Sequence, residues 1–495
     1  MRRIISALRK LSWGRAGAVF VLCTTTAIAL PAQTFTTLYS FCPLYSCVDG
    51  ANPQPRLVQA TDGNLYGTTS SGGANNSGTV FKMTPSGALT TLYSFCSQSG
   101  CADGEQPIAG LVQGTDGNFY GTTYGGGASS SSGTVFEITP SGTLTTLHSF
   151  DGADGANPSA GLAQATNGDL YGTARYGGDY SYLYCPNGTG CGTVFKITPR
   201  GTFTTLHSFE GTDGSEPWAG LVQATDGDFY GTTAAGGANC IYGVLNACGT
   251  VFKITPSGTL TTLYGFCSQP YCPDGQIPYA GLVQATNGDL YGTTEAGGVY
   301  DAGTVFQITL SGTLTALHSF CSQSGCADGN GPYAGLVQAT NGDLYGTTAY
   351  GPNGDGTVFE ITPSGTVTTL HTFDGTDGAN PYAELVQATN GDFYGAANNG
   401  GTTNFGAIFR LSVGLGPFVE ARPTFAQVGA AITILGTDLA GATSVSFNGT
   451  AAALTVNSSG SAISTTVPVG ASRGQVQVVT PGGTLSSRLD FVVLP

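Results

Sequence analysis

Residues 57–69 read LVQATDGNLYGTT and residues 78–95 read GTVFKMTPSGALTTLYSF. Four runs of β-forming residues lie in these two stretches: A (LVQAT), B (LYGTT), C (TVFKM) and D (LTTLYSF). Asp62-Gly63-Asn64 joins A to B, and such Asp-Gly or Asn-Gly pairs supply the positive φ angles of a type I′ hairpin turn. Pro85-Ser86-Gly87 joins C to D as a second tight turn. Four short strands connected in this order are what one propeller blade requires.

The unit recurs. Its tyrosine returns at Tyr66, Tyr120, Tyr171, Tyr230, Tyr291, Tyr345 and Tyr394, in steps of 54, 51, 59, 61, 54 and 49 residues. Self-similarity at this period indicates a propeller or a solenoid. The ends of the array decide between them. Runs A, B and C occur seven times, and the last set, ending with Gly406 to Leu411, has no D. A lone D run, Phe35 to Phe41, precedes the first A. If this strand joins the last set, seven complete blades result with no unpaired half-blade, whereas a linear stack gains nothing from the exchange. The expected fold is therefore all-β: a seven-bladed β-propeller closed by an N-terminal strand.

The segments DGNLYGTT and GTVFKITPSGTLTTLYSF resemble the tandem GloVer (Gloeobacter and Verrucomicrobia) repeat of secreted bacterial proteins, over about 380 residues. The resemblance implies export and brings no defined catalytic activity with it. A weaker likeness, through the DGN and ITP segments, is to streptogramin lyase propellers, which use a His-containing site. Here His148, His207, His318 and His371 all occupy the D position that is Tyr in Tyr39, Tyr93 and Tyr264, so they read as packing groups rather than a catalytic set.

From Pro417 the repeat stops. Alternating runs at Ala431 to Leu435, Thr443 to Phe447, Ala462 to Val467, Gln475 to Val479 and Leu489 to Val493 predict an immunoglobulin-like β-sandwich. The segments ITILGTDL, VSFNGTAA, TTVPVGASRGQVQVVTPGG and DFVV resemble an IPT/TIG domain, which implies an interaction or spacer role. The expected organisation is a signal peptide at 1–32, the propeller at 33–413, a linker at 414–416 and the IPT/TIG-like domain at 417–495.

Composition supports a turn-rich β protein: 78 of 495 residues are Gly, 24 are Pro and only 9% are charged. A coiled coil would be rich in Glu, Lys, Leu and Ala, and 25 Phe with 23 Tyr exceed what a disordered chain carries. Arg2, Arg3, Arg9, Lys10 and Arg15 precede an apolar stretch from Ala16 to Leu30 and the small residues Pro31-Ala32, the pattern of a secretory signal cleaved after Ala32. An uncleaved anchor is the alternative, but about 15 apolar residues fall short of the roughly 20 that span a bilayer. No second membrane segment follows. Beyond residue 32, ten basic residues face 30 acidic ones, a balance that argues against nucleic acid as a partner.

Apart from Cys23 the cysteines form six close pairs: Cys42/Cys47, Cys96/Cys101, Cys185/Cys191, Cys240/Cys248, Cys267/Cys272 and Cys321/Cys326. Even number, local pairing and an export signal point to disulfides. Zinc would need four ligands together, and no His accompanies the pairs. No metal or other cofactor is expected. Asp49, Asp103, Asp154, Asp213, Asp274, Asp328 and Asp377 recur as Asp-Gly before run A. One carboxylate per loop falls short of the six to eight oxygens of a calcium site, so they read first as turn formers.

The connections that vary are B to C and D to A, which share one face of a four-stranded blade. The third and fourth B to C loops, at 17 and 15 residues, are the longest, and each holds a cysteine pair. Just before run A comes a Pro-x-Ala-Gly-like segment whose x is Gln54, Ile108, Ser159, Trp218, Tyr279, Tyr333 and Tyr382. Four successive large aromatics near the mouth of a central channel could stack on sugars, and Tyr176, Tyr180, Tyr182 and Tyr184 of the longest loop could extend that wall. Inter-blade packing is the competing reading. Gln59, Gln113, Gln164, Gln223, Gln284, Gln338 and Gln387 recur in run A as either an inter-blade belt or a ligand ring. No phosphate-binding Gly-rich motif and no nucleophile elbow appears. The expected function is a secreted binding or scaffold protein that recognises a polysaccharide or cell-surface partner; the alternative is an extracellular lyase or hydrolase with its site at the channel mouth.

Overall fold

The computed structural model describes residues 33–494 except 44–45, 129–131, 180–184, 186–188 and 239–247. The proposed leader, Tyr180, Tyr182, Tyr184 and Cys240 therefore lie outside the described residues. The first repeat forms β2 (Val58–Gln59), β3 (Leu65–Thr69), β4 (Thr79–Met83) and β5 (Leu89–Ser94), an antiparallel sheet in that order. Five further repeats form the same four-stranded sheet. The seventh contributes only Val386–Gln387, Phe393–Ala397 and Ala407–Ser412, and its fourth strand is β1 (Thr34–Ser40). Phe35 faces Leu411 and Thr37 faces Phe409 in that pairing. The arrangement is β-propeller-like, and the N-terminal run sits where the end-of-array reading put it.

Local chemistry explains the elements. Runs B and C are almost wholly buried, because both faces of each sheet pack against sheets of neighbouring repeats. The B tyrosine is at most 1% exposed in every repeat. Its ring stacks on the first residue of the next B strand, as Tyr66 does on Phe119 at 4.1 Å and Tyr171 on Phe229 at 4.0 Å. The hydroxyl is bonded to the first turn residue: it donates to Asp62 (2.9 Å) and Asp226 (2.8 Å), and it accepts from Asn287 (2.9 Å). Asp and Asn thus serve at one position because a phenol both donates and accepts.

Two expectations need correction. The A run predicted over five residues pairs as a strand over two, because Ala60 already enters the turn, where its N–H donates to Asn64 O (2.8 Å) and its carbonyl accepts from Gly63 N (2.9 Å). The turn is also not type I′: Gly63 alone is left-handed (φ 83°), while Asp62 is not. This is the three-residue loop with a glycine bulge, which asks positive φ of one residue only. Thr84 to Ala88 repeats the geometry, with Gly87 at φ 95°.

Neighbouring sheets are joined by three recurrent bonds. The Gln of each A strand accepts the backbone N–H of a threonine in the preceding repeat, from Thr61 N to Gln113 (3.0 Å) through Thr340 N to Gln387 (3.1 Å). The same bond runs from Thr389 N of the seventh repeat to Gln59 of the first (2.9 Å). On the loop side, the N–H of the residue before each Pro-x-Ala-Gly segment donates to a carbonyl of the preceding repeat. Gln106 N to Ser77 O (2.8 Å) is one, and Asn52 N to Phe405 O (2.8 Å) again links first to seventh. A B-strand threonine also donates to the next repeat's alanine carbonyl, as Thr68 does to Ala109 (3.1 Å).

Residues from Val419 onward form two four-stranded sheets. One orders Val419–Arg422, Ala431–Gly436, Ala462–Thr466 and Thr455–Val456; the other orders Thr450–Ala452, Ser444–Phe447, Val476–Thr480 and Gly483–Ser486. Both enclose one apolar cluster that includes Ile432, Ile434, Val445, Phe447, Val478 and Phe491. Sequence reading missed Val419–Arg422, Phe425–Gln427, Thr450–Ala452, Thr455–Val456 and Gly483–Ser486, and it started the last strand, Val492–Leu494, three residues early. The missed strands are pieces of two to four residues, too short for alternation to mark them, even where it is present as in Val-Glu-Ala-Arg at 419–422.

Deletion of residues 33–41 removes β1 and bares the edge of Ala407–Ser412. It also removes Phe35, whose ring stacks on His371 at 3.6 Å and lies 5.2 Å from Phe409. The truncated protein is expected to melt lower and to be cut by protease near Phe409. Unchanged melting and protease resistance would contradict the clasp.

Candidate functional site

The B to C and D to A connections share one face. In every repeat an isolated bridge ties them, from Ala51 to Ser71 in the first to Ala379 to Asn399 in the seventh. On this face lie the four aromatics before run A. Trp218, Tyr279, Tyr333 and Tyr382 are all half-buried and follow one another in contact. Trp218 meets Tyr279 at 5.3 Å (interplanar 85°), Tyr279 meets Tyr333 at 5.5 Å (12°), and Tyr333 meets Tyr382 at 5.1 Å (78°). The equivalent positions Gln54, Ile108 and Ser159 carry no ring. The arc thus spans four repeats and stops.

Polar groups flank it. Arg175, the first residue after the third B strand, lies 3.9 Å above the Trp218 ring and 4.4 Å above that of Tyr176. It donates to Glu216 through Nε (3.0 Å) and Nη2 (2.7 Å). Glu295, at the same position in the fifth repeat, accepts the Tyr333 hydroxyl (2.7 Å). Burial first, and then the Glu295 charge, push the Tyr279 and Tyr333 phenols up. Burial and a hydrogen bond with Tyr350 push Tyr382 up to about 12. The Trp218 Nε1 donor and the Asn398 Oδ1 acceptor are buried without a hydrogen-bond partner.

Of the predicted aromatic wall, the structure brings Tyr176 beside Trp218 through Arg175. Sequence reasoning missed Arg175, Glu216, Glu295 and Asn398. Each occurs once, at positions filled differently in the other repeats, so periodicity hides them.

The other predicted groups have structural partners. The seven Gln amides form the inter-repeat belt: besides accepting from the neighbour, Gln223 Nε2 donates to Gly227 O (2.9 Å), and Gln59, Gln338 and Gln387 are at least nine-tenths buried. The four His and three Tyr of the D strands all contact the Asp-Gly carboxylate. His148 pairs with Asp154 (2.7 Å), His207 with Asp213 (2.7 Å), His318 with Asp328 (3.0 Å), His371 with Asp377 (2.7 Å), and Tyr39, Tyr93 and Tyr264 bond Asp49, Asp103 and Asp274 (2.8 Å each). The same carboxylates accept loop N–H groups, as Asp103 does from Ser97 and Gln98. Tyr and His interchange because each offers the carboxylate one donor. The aspartates are more than turn formers, since they pin each D to A loop to its strand.

Disulfides join Cys42 to Cys47, Cys96 to Cys101, Cys185 to Cys191, Cys267 to Cys272 and Cys321 to Cys326. Cys248 is also disulfide-bonded. Cys96, Cys101 and Glu105 are the one metal-ligand cluster among the described residues, and its two sulfurs are already joined. No helix among the described residues is long and apolar enough to cross a membrane.

The Gloeobacter/Verrucomicrobia repeat model matches residues 14–186, 184–327 and 240–467. The chain belongs to that family. None of the curated proteins compared matches it. Among solved structures, the GloVer chain is similar to a fungal alcohol oxidase of the AA5 family in complex with copper: 14% identity, 93% of this chain and 99% of that one, TM-score 0.48. A gluconolactonase from Xanthomonas campestris gives 12%, 77%, 90% and 0.39. The extracellular domain assigned to a hybrid two-component system of B. thetaiotaomicron gives 12%, 90%, 53% and 0.46. At TM-scores below 0.5 these likenesses carry no functional argument.

The Asp328 carboxylate is fully buried; burial raises its pKa, but bonds from Ser322 and Gln323 outweigh this and hold it below its ordinary value. A depressed carboxylate stabilises the fold above its unfolded pKa of about 3.9 and ceases to do so as pH falls through the lower folded value. Asp328→Asn is therefore expected to cost about 1 to 3 kcal/mol at neutral pH. The difference from the parent in thermal melts should shrink below about pH 4.

Proposed function

We propose that this GloVer protein is a secreted, closed seven-bladed β-propeller that binds a polysaccharide at the mouth of its axial channel, on the loop-rich face. Its C-terminal immunoglobulin-like, IPT/TIG-type module acts as a spacer, and the chain divides at 33–413 and 417–495 after a leader at 1–32. The single observation that carries the binding reading is the arc Trp218, Tyr279, Tyr333 and Tyr382: contiguous, half-buried rings that are concentrated in four of seven repeats. Packing between blades would call for an aromatic in every repeat, yet the position is Gln54, Ile108 and Ser159 in the other three. Aromatic faces with polar edges suit the C–H surface and hydroxyls of a sugar. The disulfides fit an oxidising compartment and stiffen the loops around the site, each by about 2 kcal/mol in the chain-entropy model.

Replacing Trp218 and Tyr333 together by Ala is expected to abolish the signal on a glycan array while the melting temperature moves little, since each stacking contact is worth on the order of 1 kcal/mol. Were these rings core, each replacement would cost about 3 to 5 kcal/mol. The same panel scored for chain cleavage tests the lyase or hydrolase reading, which turnover of any polysaccharide would establish in place of simple binding.

A further inference from the structure

We propose that the ligand of the aromatic mouth carries ammonium groups, and specifically that it is an oligomer of amino sugars; this deepens, and rests on, the glycan reading above. Charge on the loop-rich face comes first. Its fourteen connections, taken between strand ends, hold seventeen Asp and Glu but only Arg56 and Arg175 as basic residues. Both are already paired, Arg56 with Glu384 (3.0 Å) and Arg175 with Glu216 (2.7 Å). No cation remains there to meet an anionic sugar such as a uronate.

Glu295 supplies the specific feature. It is half-buried, it accepts the Tyr333 hydroxyl (2.7 Å), and no cationic side chain pairs with it among the described residues. It raises the phenols of both Tyr279 and Tyr333, so its charge is felt by the two rings that stack at 5.5 Å. A half-buried carboxylate without a counter-ion is costly. Beside aromatic faces it forms the setting in which an ammonium group gains from both the charge and the ring quadrupole.

Among the described residues, three buried side-chain atoms on this face lack a hydrogen-bond partner: Trp218 Nε1, Asn398 Oδ1 and Asp274 Oδ1. Trp218 Nε1 is a donor without an acceptor. Asn398, only 8% exposed, has an Oδ1 without a donor, and in the seventh repeat it occupies the position of Arg175 and Glu295. Buried polar atoms of this kind call for a partner. An amino-sugar chain suits the two accessible features: its C–H faces meet the rings, and its ammonium meets Glu295.

The test is calorimetry on the full-length protein with three hexamers: glucosamine, N-acetylglucosamine and galacturonate, at mildly acidic pH where the sugar amines are protonated. The glucosamine hexamer is expected to bind about tenfold tighter than its acetylated form, the ratio that about 1.4 kcal/mol gives, and galacturonate is expected not to bind. Glu295→Gln, which keeps a hydrogen-bonding group for Tyr333, should erase the tenfold preference with the melting temperature unchanged. Equal binding of acetylated and free-amine hexamers, or a preference that survives Glu295→Gln, overturns the ammonium assignment and leaves the glycan reading standing. Failure of all three hexamers overturns both. Tighter binding of a lysine hexamer than of the glucosamine hexamer would show that the cation is recognised on a peptide, and would overturn the sugar assignment.

Discussion

The hydrogen bond from a threonine backbone N–H to the side-chain amide of the next repeat's glutamine is the interaction on which the architecture turns. The two-residue A strands are too short to hold their sheets by main-chain pairing alone. The glutamine oxygen reaches the neighbour, and the amide nitrogen returns to its own turn, as Gln284 does through Thr225 N (2.9 Å) and Gly288 O (2.9 Å). Each amide therefore spends both ends on fixing the angle between two sheets. A buried amide that lost one partner would pay its desolvation without return. Because Thr389 and Gln59 make the same bond, the seventh and first repeats are under the same constraint as any other pair, and β1 completes the seventh repeat's sheet beside the first.

The junction of first and seventh repeats departs from the pattern in a compensated way. Five repeats place glycine before run A, at Gly110, Gly161, Gly220, Gly281 and Gly335. A Cβ at Gly161 would stand 2.9 Å from Gly110 O, and one at Gly220 would stand 2.8 Å from Gly161 O. The two exceptions are Arg56 and Glu384, which meet across the junction. There the threonine that elsewhere donates to a neighbouring alanine is Ala396, and the alanine is Pro55, so an ion pair stands where a neutral hydrogen bond is missing. The C-terminal module docks on the same seam: Arg422 donates to Gln59 O, Phe418 N to Thr389 O (3.0 Å), and Thr437 bonds the Thr389 hydroxyl (2.9 Å). Arg488 reaches Gln338 O, and its guanidinium is felt by Glu384 and Glu420.

What the sequence made legible was whatever repeats. The B tyrosine, the turn glycine, the run-A glutamine and the lone D strand each occur at a fixed phase, and each marks a contact that seven copies must make alike. Both partners of the Tyr/His to Asp bond recur in register, but the sequence carries no mark that the two patterns meet. What stayed hidden is non-periodic. Arg175 and Glu216 lie 41 residues apart, and Glu295 and Tyr333 lie 38 apart. Nothing in either local sequence announces its partner, because the pairing is created by sheet-to-sheet placement. Turn type was also beyond the dipeptide signal, since Asp-Gly serves either one positive φ or two.

A framework fixed by repeated bonds leaves its variation to one side. Bonds of the A to B turns, the belt and the C-terminal module all engage the turn side of the sheets, where Thr61, Gln59 and Thr389 present their backbone. A cleft of about 400 Å³ remains there between Gln113, Gln164 and Arg422 to Phe425, but Gln113 and Gln164 already spend their amides within the belt. On the opposite side the loops are held at their bases by carboxylate bonds and disulfides, while their lengths and side chains vary among most of the repeats. Among the described residues, rings in four repeats, three unpartnered buried polar atoms and a carboxylate without a counter-ion lie on that side. Each of these features costs stability in the free protein, and none recurs in the way a folding contact must, which is why the proposed binding surface is drawn on this side rather than on the turn side.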